Sequence, residues 1–205
     1  MVAHGTERAR VLKGKNMNWI KKVLKSIIYV LGIRKKPSAL SKEEQWRARG
    51  VTIGKNFDGP DSAIDYCFGH LVTIGDNVTI SGTTILAHDG TTKKALGYCK
   101  VAPVKIGNDV FIGYGSVILP GVTIGNKVIV GAGTICSRDI PDNSVVVRGS
   151  DTTYRILCTY DEYIDKQKKR LETLPVSNKI FSERTDDEWK SWKEELENSG
   201  GGFDL

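Results

Sequence analysis

Residues 106–141 read IGNDVFIGYGSVILPGVTIGNKVIVGAGTICSRDIP, and this stretch repeats with a period of six. An aliphatic or small apolar residue recurs at Ile106, Ile112, Ile118, Ile124, Val130 and Cys136. A second small or β-branched residue follows four places later, at Val110, Ser116, Val122, Val128 and Thr134. A helix repeats every 3.6 residues and an ordinary strand every two, so neither produces this spacing. The short fixed period predicts a solenoid, namely a parallel β-helix built from hexapeptide repeats.

The repeat also predicts which side chains lie inside the solenoid. Both recurring positions are expected to point inward, so that stacked coils place them above one another in an apolar core. Glycine follows the aliphatic residue at Gly54, Gly75, Gly107, Gly113, Gly125 and Gly131, and Asn or Asp occupies the corners at Asn56, Asn77, Asn108, Asp109 and Asn126. These residue types tolerate tight or left-handed turns. The residues alone do not give the hand of the coil. The general rule favours right-handed crossovers, so a left-handed coil cannot be predicted from the repeat itself.

Five motifs occur in order along the solenoid: IGDNVTI (74–80), ILAHDG (85–90), KIGNDVFIG (105–113), ILPGVTIGN (118–126) and VGAGTICSRDIPDNSV (130–145). As a set they resemble the hexapeptide-repeat acyltransferases, and within these the sugar and polysaccharide O-acetyltransferases of the galactoside and maltose acetyltransferase type. The resemblance implies a mainly β fold, a left-handed parallel β-helix. It also implies acetyl-CoA as co-substrate, no metal requirement, and a homotrimer with active sites between subunits.

The chain divides into four predicted segments. They are a mobile leader at 1–16, an amphipathic helical segment at 17–50, the β-helix at 51–149 with an inserted loop at 89–103, and a helical C-terminal extension at 150–205. Residues 17–36 place apolar side chains on one helical face and lysines on the other. This helix is expected either to pack on the solenoid or a neighbouring subunit, or to lie on a membrane surface. The predicted location is therefore cytoplasmic, or peripheral at the inner face of the membrane.

Capping boxes mark two further helix starts. Ser41 with Glu44, and Thr185 with Glu188, match the pattern in which an N-cap hydroxyl and a third-position Glu satisfy each other's backbone amides. Residues 159–174 are also expected to be helical, and the glycines at 200–202 are expected to fray.

Composition excludes several classes of function. The net charge is +6, but no aromatic and basic pattern typical of nucleic-acid binding is present. The four cysteines show no CxxC or zinc spacing and are expected to be free thiols. Only two histidines lie outside the leader, which is too few for the three-histidine zinc site of a β-helical carbonic anhydrase. The chain also lacks room for the nucleotide-binding domain of sugar nucleotidyltransferases.

His88 is the candidate catalytic residue. It follows Leu86 and Ala87 directly and opens the inserted loop, and histidine is the usual general base near neutral pH. The resemblance implies that it removes the proton from an acceptor hydroxyl, which then attacks acetyl-CoA directly without an acyl-enzyme. The ring needs a partner that fixes its tautomer. Asp89 is adjacent but is not expected to turn back onto the ring, so the sequence does not identify that partner.

The acceptor is expected to bind where the repeat is broken. The resemblance implies a substrate-binding role for Asp65, which occupies roughly the place where related enzymes keep a polar residue for the acceptor sugar. His70, also in the irregular first coil, is expected either to line the same pocket or to have a purely structural role. The loop at 89–103 is expected to leave the core. It either covers the substrate with Lys93, Lys94 and Tyr98 or is a tolerated insertion without a function.

The resemblance places acetyl-CoA in the groove between coils beyond His88. The candidate cofactor-binding residues are Phe111, Gly113, Tyr114, Ala132, Ser137 and Arg138. Arg138 keeps a positive charge suited to phosphate. The repeat itself also demands small residues at Gly113 and Ala132. The stretch at 148–155 departs from the family pattern, in which basic residues usually contact the nucleotide.

The sequence therefore predicts an acetyl-CoA-dependent O-acetyltransferase that acts on a hydroxyl of a sugar or polysaccharide precursor. A xenobiotic O-acetyltransferase of the streptogramin type and an amino-sugar N-acetyltransferase fit the repeats equally well. The non-enzyme alternative is a β-helical scaffold or membrane-docking module, for which His88 would have no use.

Overall fold

A computed structural model of the chain describes residues 40–59, 61–150 and 153–205. The predicted leader at 1–16 and the amphipathic helix at 17–36 lie outside the described residues. Within the described ranges, no helix is long and apolar enough to cross a membrane.

Short strands dominate the described chain. In order they are β1 (Thr52–Ile53), β2 (Ala63–Ile64), β3 (Val72–Ile74), β4 (Val78–Ile80), β5 (Thr84–Ile85), β6 (His88–Asp89), β7 (Lys100–Val101), β8 (Val104–Ile106), β9 (Val110–Ile112), β10 (Val117–Ile118), β11 (Thr123–Ile124), β12 (Val128–Val130), β13 (Ile135–Cys136), β14 (Ser144–Arg148), β15 (Tyr154–Thr159), β16 (Val176–Ser177) and β17 (Phe203–Asp204). The helices are α1 (Lys42–Ala48), α2 (Lys93–Leu96), α3 (Tyr160–Leu171) and α4 (Asp186–Ser199), with 3₁₀ turns at Gly69–Leu71 and Phe181–Glu183.

Three parallel sheets form the faces of the solenoid. Their strand orders are β1-β3-β8-β11, β4-β9-β12-β14 and β2-β5-β10-β13, so consecutive strands along the chain pass from one face to the next. Equivalent repeat positions pair in register, as Ile85 does with Ile118 and Ile118 with Cys136. Every residue of the two predicted inward series is buried. The predicted fold class, a mainly β, left-handed parallel β-helix with an inserted loop, is confirmed.

The glycines of the repeat are needed for space rather than for a left-handed backbone. Neither Gly107 nor Gly113 has a positive φ. A Cβ at Gly107 would lie 2.7 Å from the carbonyl carbon of Gly125 in the next coil, and one at Gly113 would lie 2.6 Å from the amide nitrogen of Ala132. The explanation by left-handed turns is therefore wrong for these glycines, because close stacking of coils excludes any side chain there.

The left-handed corner positions belong to one row of the predicted Asn and Asp residues. Asn56, Asn77 and Asp109 have φ of 53°, 56° and 56°. Their side chains form a ladder, since Asn56 Nδ2 donates to Asn77 Oδ1 at 2.8 Å and Asn77 Nδ2 donates to Asp109 Oδ1 at 2.9 Å. Asn108 and Asn126 instead accept a backbone amide of the preceding coil through Oδ1, each at 2.8 Å. Both rows tie neighbouring coils together.

The predicted capping boxes are present at both ends of the described chain. Ser41 with Glu44 opens α1, and Thr185 with Glu188 opens α4. The helix expected at 159–174 is α3, which ends at Leu171 and begins with a third capping box. Trp46 of α1 is buried at the start of the solenoid, where its ring meets Phe57 edge-on at 5.9 Å.

The C-terminal region departs from the sequence prediction in two places. It opens with β15, which runs antiparallel to β14 and adds a strand to the last coil. The expected fraying at 200–202 is wrong, because β17 pairs with β16 beyond these glycines. Arg184 fastens this pairing: its side chain is only 3% exposed, and it donates to both carboxylate oxygens of Asp204 at 2.6 and 2.7 Å.

Candidate active site

His88 lies at the corner where the inserted loop leaves the solenoid. Leu86 and Ala87 separate it from β5, and it belongs to β6, which pairs antiparallel with β7, so the loop begins and ends as a two-stranded hairpin. Ala102 N donates to Ala87 O at 3.0 Å and returns the chain to the coil. The middle of the loop is α2, closed by Gly97 in the left-handed region with φ of 79°. The hairpin therefore fixes the backbone of His88, and the loop beyond it is mostly exposed.

A buried carboxylate holds the imidazole of His88. Asp65 Oδ2 lies 2.5 Å from His88 Nδ1 and also accepts the amide of Ala87 at 2.9 Å. Asp65 Oδ1 accepts the amides of Cys67 and Phe68 at 3.0 and 3.1 Å. The side chain of Asp65 is fully covered, with an exposed fraction of 0%. Four hydrogen bonds therefore hold its carboxylate in place.

These contacts keep Asp65 ionised. Burial acts to raise the pKa of Asp65, but the hydrogen bonds from His88 and from three backbone amides outweigh it, so the pKa lies below its ordinary value. An ionised carboxylate can only accept hydrogen bonds, so Nδ1 of His88 must carry the proton of that bond. In a neutral imidazole Nε2 is then left with a free lone pair. The ring is 33% exposed, so solvent and substrate can reach it. This arrangement can act as a general base.

Asp89 plays no part in orienting the ring, as the sequence suggested. Its Oδ1 accepts the amide of Thr91 at 2.9 Å, and its other oxygen lies 3.9 Å from Nζ of Lys100. Asp65 was predicted to contact the acceptor, and that contact stays a prediction. In the structure its carboxylate contacts Nδ1 of His88. One signal could have revealed this: pairing Ile64 with Ile85 by their repeat positions sets Asp65 beside the residues that precede His88.

A group of rings adjoins His88. The ring of Phe68 lies 5.0 Å from that of His88 and 6.3 Å from that of His70, centroid to centroid. His70 itself is exposed in the 3₁₀ turn. The structure thus brings His88, Asp65 and His70 into one region, which is the region predicted for the acceptor.

The residues predicted to bind acetyl-CoA form a second group on later coils. Phe111, Tyr114, Ala132, Ser137 and Arg138 are exposed, and Gly113 is buried. The carbonyl of Tyr114 accepts the amide of Gly133 at 2.8 Å, which joins the two coils that border this surface.

Arg138 is partly engaged within the protein. One of its terminal nitrogens donates to the carbonyl of Tyr154 at 3.0 Å, and its guanidinium carbon lies 4.8 Å from the centroid of that ring. This leaves only part of its donor set for a phosphate. The role of these six residues in binding acetyl-CoA stays a prediction.

Other chemistry finds little support among the described residues. They contain no group of three His, Cys, Asp or Glu side chains able to hold a metal ion. All four cysteines are free. Burial raises the pKa of the Cys136 thiol to about 12, so this thiol stays protonated and does not serve as a nucleophile.

Comparison with known proteins agrees with this architecture. Residues 103–138 match the family described as "Bacterial transferase hexapeptide (six repeats)". Protein CapG of Staphylococcus aureus is 45% identical over 111 residues, which cover 51% of this chain and 64% of that protein. Galactoside O-acetyltransferase of Escherichia coli (strain K12) is 39% identical over 99 residues, which cover 46% of this chain and 48% of that protein.

A solved structure shows a more distant likeness. It is the hexapeptide-repeat containing acetyltransferase VCA0836 of Vibrio cholerae, complexed with acetyl-coenzyme A. The identity is 21% and the TM-score 0.44, and the match covers 63% of this chain and 82% of that chain. The chain spans between about half and two thirds of the length of the two curated relatives. The period of six and the three parallel faces agree with the match of residues 103–138 to the bacterial transferase hexapeptide model, and the chain is similar to these proteins over about half of its length.

Proposed function

We propose that this protein is an acetyl-CoA-dependent O-acetyltransferase acting on a hydroxyl of a sugar or polysaccharide precursor. The observation that carries the proposal is the Asp65–His88 pair, which presents a free Nε2 at a partly exposed corner of the solenoid. The similarity to a galactoside O-acetyltransferase supports a sugar as the acceptor. A scaffold would have no use for a buried carboxylate bound to an accessible imidazole.

His88 performs the proton transfers in this proposal. Nε2 takes the proton from the acceptor hydroxyl as its oxygen bonds to the carbonyl carbon of the thioester, and the negative charge of Asp65 stabilises the imidazolium that forms. When the carbon–sulfur bond breaks, the imidazolium returns the same proton to the departing thiolate. The enzyme ends unchanged, and no acyl-enzyme is needed.

Acetyl-CoA would supply the acetyl thioester. The residues proposed to hold it are Phe111, Gly113, Tyr114, Ala132, Ser137 and Arg138, of which five are exposed on neighbouring coils. We propose that the protein acts as a homotrimer with these sites between subunits. For a lipid-linked sugar precursor in the cytoplasm, residues 17–36 are the proposed membrane-surface contact.

The proposal is tested with the variant His88→Ala. Release of free thiol from acetyl-CoA is measured across sugars, nucleotide sugars, glycans and streptogramin antibiotics. Loss of general-base catalysis should lower kcat by roughly 10²–10⁴-fold, while acetyl-CoA binding is retained. His70→Ala removes the other imidazole of the region and should cost much less.

The acceptor that turns over separates the alternatives. Acetylation of an antibiotic hydroxyl or of an amine would replace the sugar O-acetyltransferase assignment by a xenobiotic or an amino-sugar activity. Full activity of His88→Ala would refute the mechanism. Absence of thiol release with every acceptor would favour the scaffold.

A further inference from the structure

The surface beside His88 carries a strip of rings that ends in a guanidinium. We define this Arg49 strip as Arg49, Tyr66, Phe68 and His70. The guanidinium carbon of Arg49 lies 4.2 Å from the centroid of the Tyr66 ring. The two segments that carry the strip are in contact, because Gly50 packs against the Cβ of His70 and Gly69 packs against the carbonyl of Arg49. Phe68 then connects His70 to His88 through the ring contacts described above.

The strip is open to solvent. Tyr66 is 73% exposed although the guanidinium of Arg49 lies over its ring, and Arg49 and His70 are exposed as well. No carboxylate of the described chain lies within ion-pair distance of Arg49. The ring therefore holds the position of the guanidinium, while its N–H edge remains free to bind an anion.

The segments that carry the Arg49 strip and the inserted loop have a net positive charge. Residues 65–70 and 88–103, together with Arg49, contain four cations and two carboxylates, with histidines counted as neutral. Both carboxylates are already engaged: Asp65 binds His88 and backbone amides, and Asp89 binds Thr91 and faces Lys100. Of the four cations, Arg49, Lys93 and Lys94 form no ion pair with a described carboxylate. The unpaired charge in these segments is cationic.

We infer that the acceptor is an anionic saccharide whose carboxylate or phosphate is bound by Arg49 while a hydroxyl of the saccharide reaches Nε2 of His88. The inference rests on the proposed acetyl transfer and specifies its substrate class. A planar guanidinium suits this task because its parallel N–H groups bind both oxygens of a carboxylate or phosphate at once. Tyr66 and Phe68 provide apolar surface along which a sugar ring can lie between the two polar ends.

The test compares acceptors that carry an anionic group with related neutral acceptors. The uronate probes are the methyl glycosides of glucuronate, galacturonate and mannuronate, each paired with the corresponding neutral hexose, and UDP-glucose is the phosphate probe. The protein should acetylate at least one anionic member with a higher kcat/KM than its neutral partner, and this preference should weaken as salt increases. A preference among the uronates assigns the anion as carboxylate, whereas a preference for UDP-glucose over glucose that Arg49→Gln abolishes assigns it as phosphate.

The variant Arg49→Gln removes the charge. It should lower kcat/KM for the preferred anionic acceptor by about ten- to hundredfold, the range expected for a charge-assisted hydrogen bond. Activity on the neutral partner should fall much less than activity on the anionic acceptor, and the KM for acetyl-CoA should be unchanged. Arg49→Lys should retain part of the preference, since it keeps the charge but not the fork. Arg170→Gln, the same change on the exposed face of α3, is the matched control and should have no effect.

Two results would overturn the inference. One is a neutral acceptor that is used as well as its anionic partner, and the other is an equal loss on both acceptors in Arg49→Gln. If none of the named anionic probes is acetylated, the inference that the acceptor is an anionic saccharide is also overturned. Thiol release with some other hydroxyl acceptor would then leave the proposed acetyl transfer standing.

Discussion

Replacing Asp65 by Asn changes the hydrogen bonding of His88 with little change in shape. The four groups around the carboxylate of Asp65 are three backbone amides and the N–H of the imidazole, and all four donate. An amide side chain has one acceptor oxygen and one donor nitrogen. In the better orientation its oxygen keeps the amides of Cys67 and Phe68, and its NH₂ group faces Ala87 and His88. The NH₂ group can then satisfy His88 only if Nδ1 becomes an acceptor, which moves the ring proton to Nε2.

The consequences have different sizes for catalysis and for stability. A protonated Nε2 cannot take a proton, so kcat should fall by roughly 10²–10⁴-fold, the full contribution of a general base. The amide of Ala87 loses its acceptor in a buried place, which should destabilise the fold by about 1–3 kcal/mol. The KM for acetyl-CoA should stay the same, because the residues proposed to bind it lie on later coils.

The assay combines thiol release with nitrogen NMR of His88. The NMR signals report directly which ring nitrogen carries the proton, a property that lost stability alone would not change. Asp89→Asn is the control, because it makes the same chemical change next to His88 on a carboxylate that faces Thr91 and Lys100. The reasoning fails if Asp65→Asn keeps kcat within tenfold of the parent, or if Nδ1 remains the protonated nitrogen.

Two further predictions concern the fold. Gly107→Ala should destabilise the protein by about 1–3 kcal/mol in urea denaturation, because its Cβ would meet the backbone of the next coil. The control is Gly90→Ala, which has no heavy atom within 4 Å of its Cβ and should cost less than about 0.5 kcal/mol. Equal losses of stability in the two variants would contradict the close-stacking argument. In the C-terminal region, a hydrogen bond from Lys179 is the main cause that lowers the pKa of Glu188 to about 2, and Arg184 lowers that of Asp204. Both carboxylates therefore stabilise this region above the ordinary carboxylate pKa of about 4, and the stabilisation should disappear as the pH falls from there towards 2. Loss of the dispersed indole NMR signal of buried Trp192 over that interval would show this, while a signal unchanged down to pH 2 would argue against it.

The solenoid could be predicted because its determinants are periodic. The period of six decides for each residue whether it points inward, so the burial of Ile112 or Ile118 follows from its position in the sequence. Capping boxes are equally local, since Ser41 and Glu44 are only three residues apart. Neither type of feature requires knowledge of which distant segments meet.

The remaining features depend on contacts between distant segments without a period. The strand β15 has no repeat signal, and it forms because β14 would otherwise leave an open edge at the last coil. The pairing of β16 with β17 joins residues 27 positions apart and is secured by Arg184, which no local pattern marks. Asp65 and His88 are 23 positions apart and lie across the irregular first coil.

The irregularity of the first coil explains why the candidate site lies there. The turn after Asp65 gives the partly buried amides of Cys67 and Phe68 no strand partner, and an amide shielded from water is destabilising when it has no acceptor. The carboxylate of Asp65 accepts both amides through one oxygen, so its other oxygen remains available for Ala87 and His88. The same side chain therefore completes the break in the repeat and sets the tautomer of the proposed base. In the regular coils the strand amides bond to neighbouring coils, and corner side chains such as those of Asn108 and Asn126 accept the corner amides. The break in the repeat thus both requires the carboxylate and gives it a position from which it can act on His88.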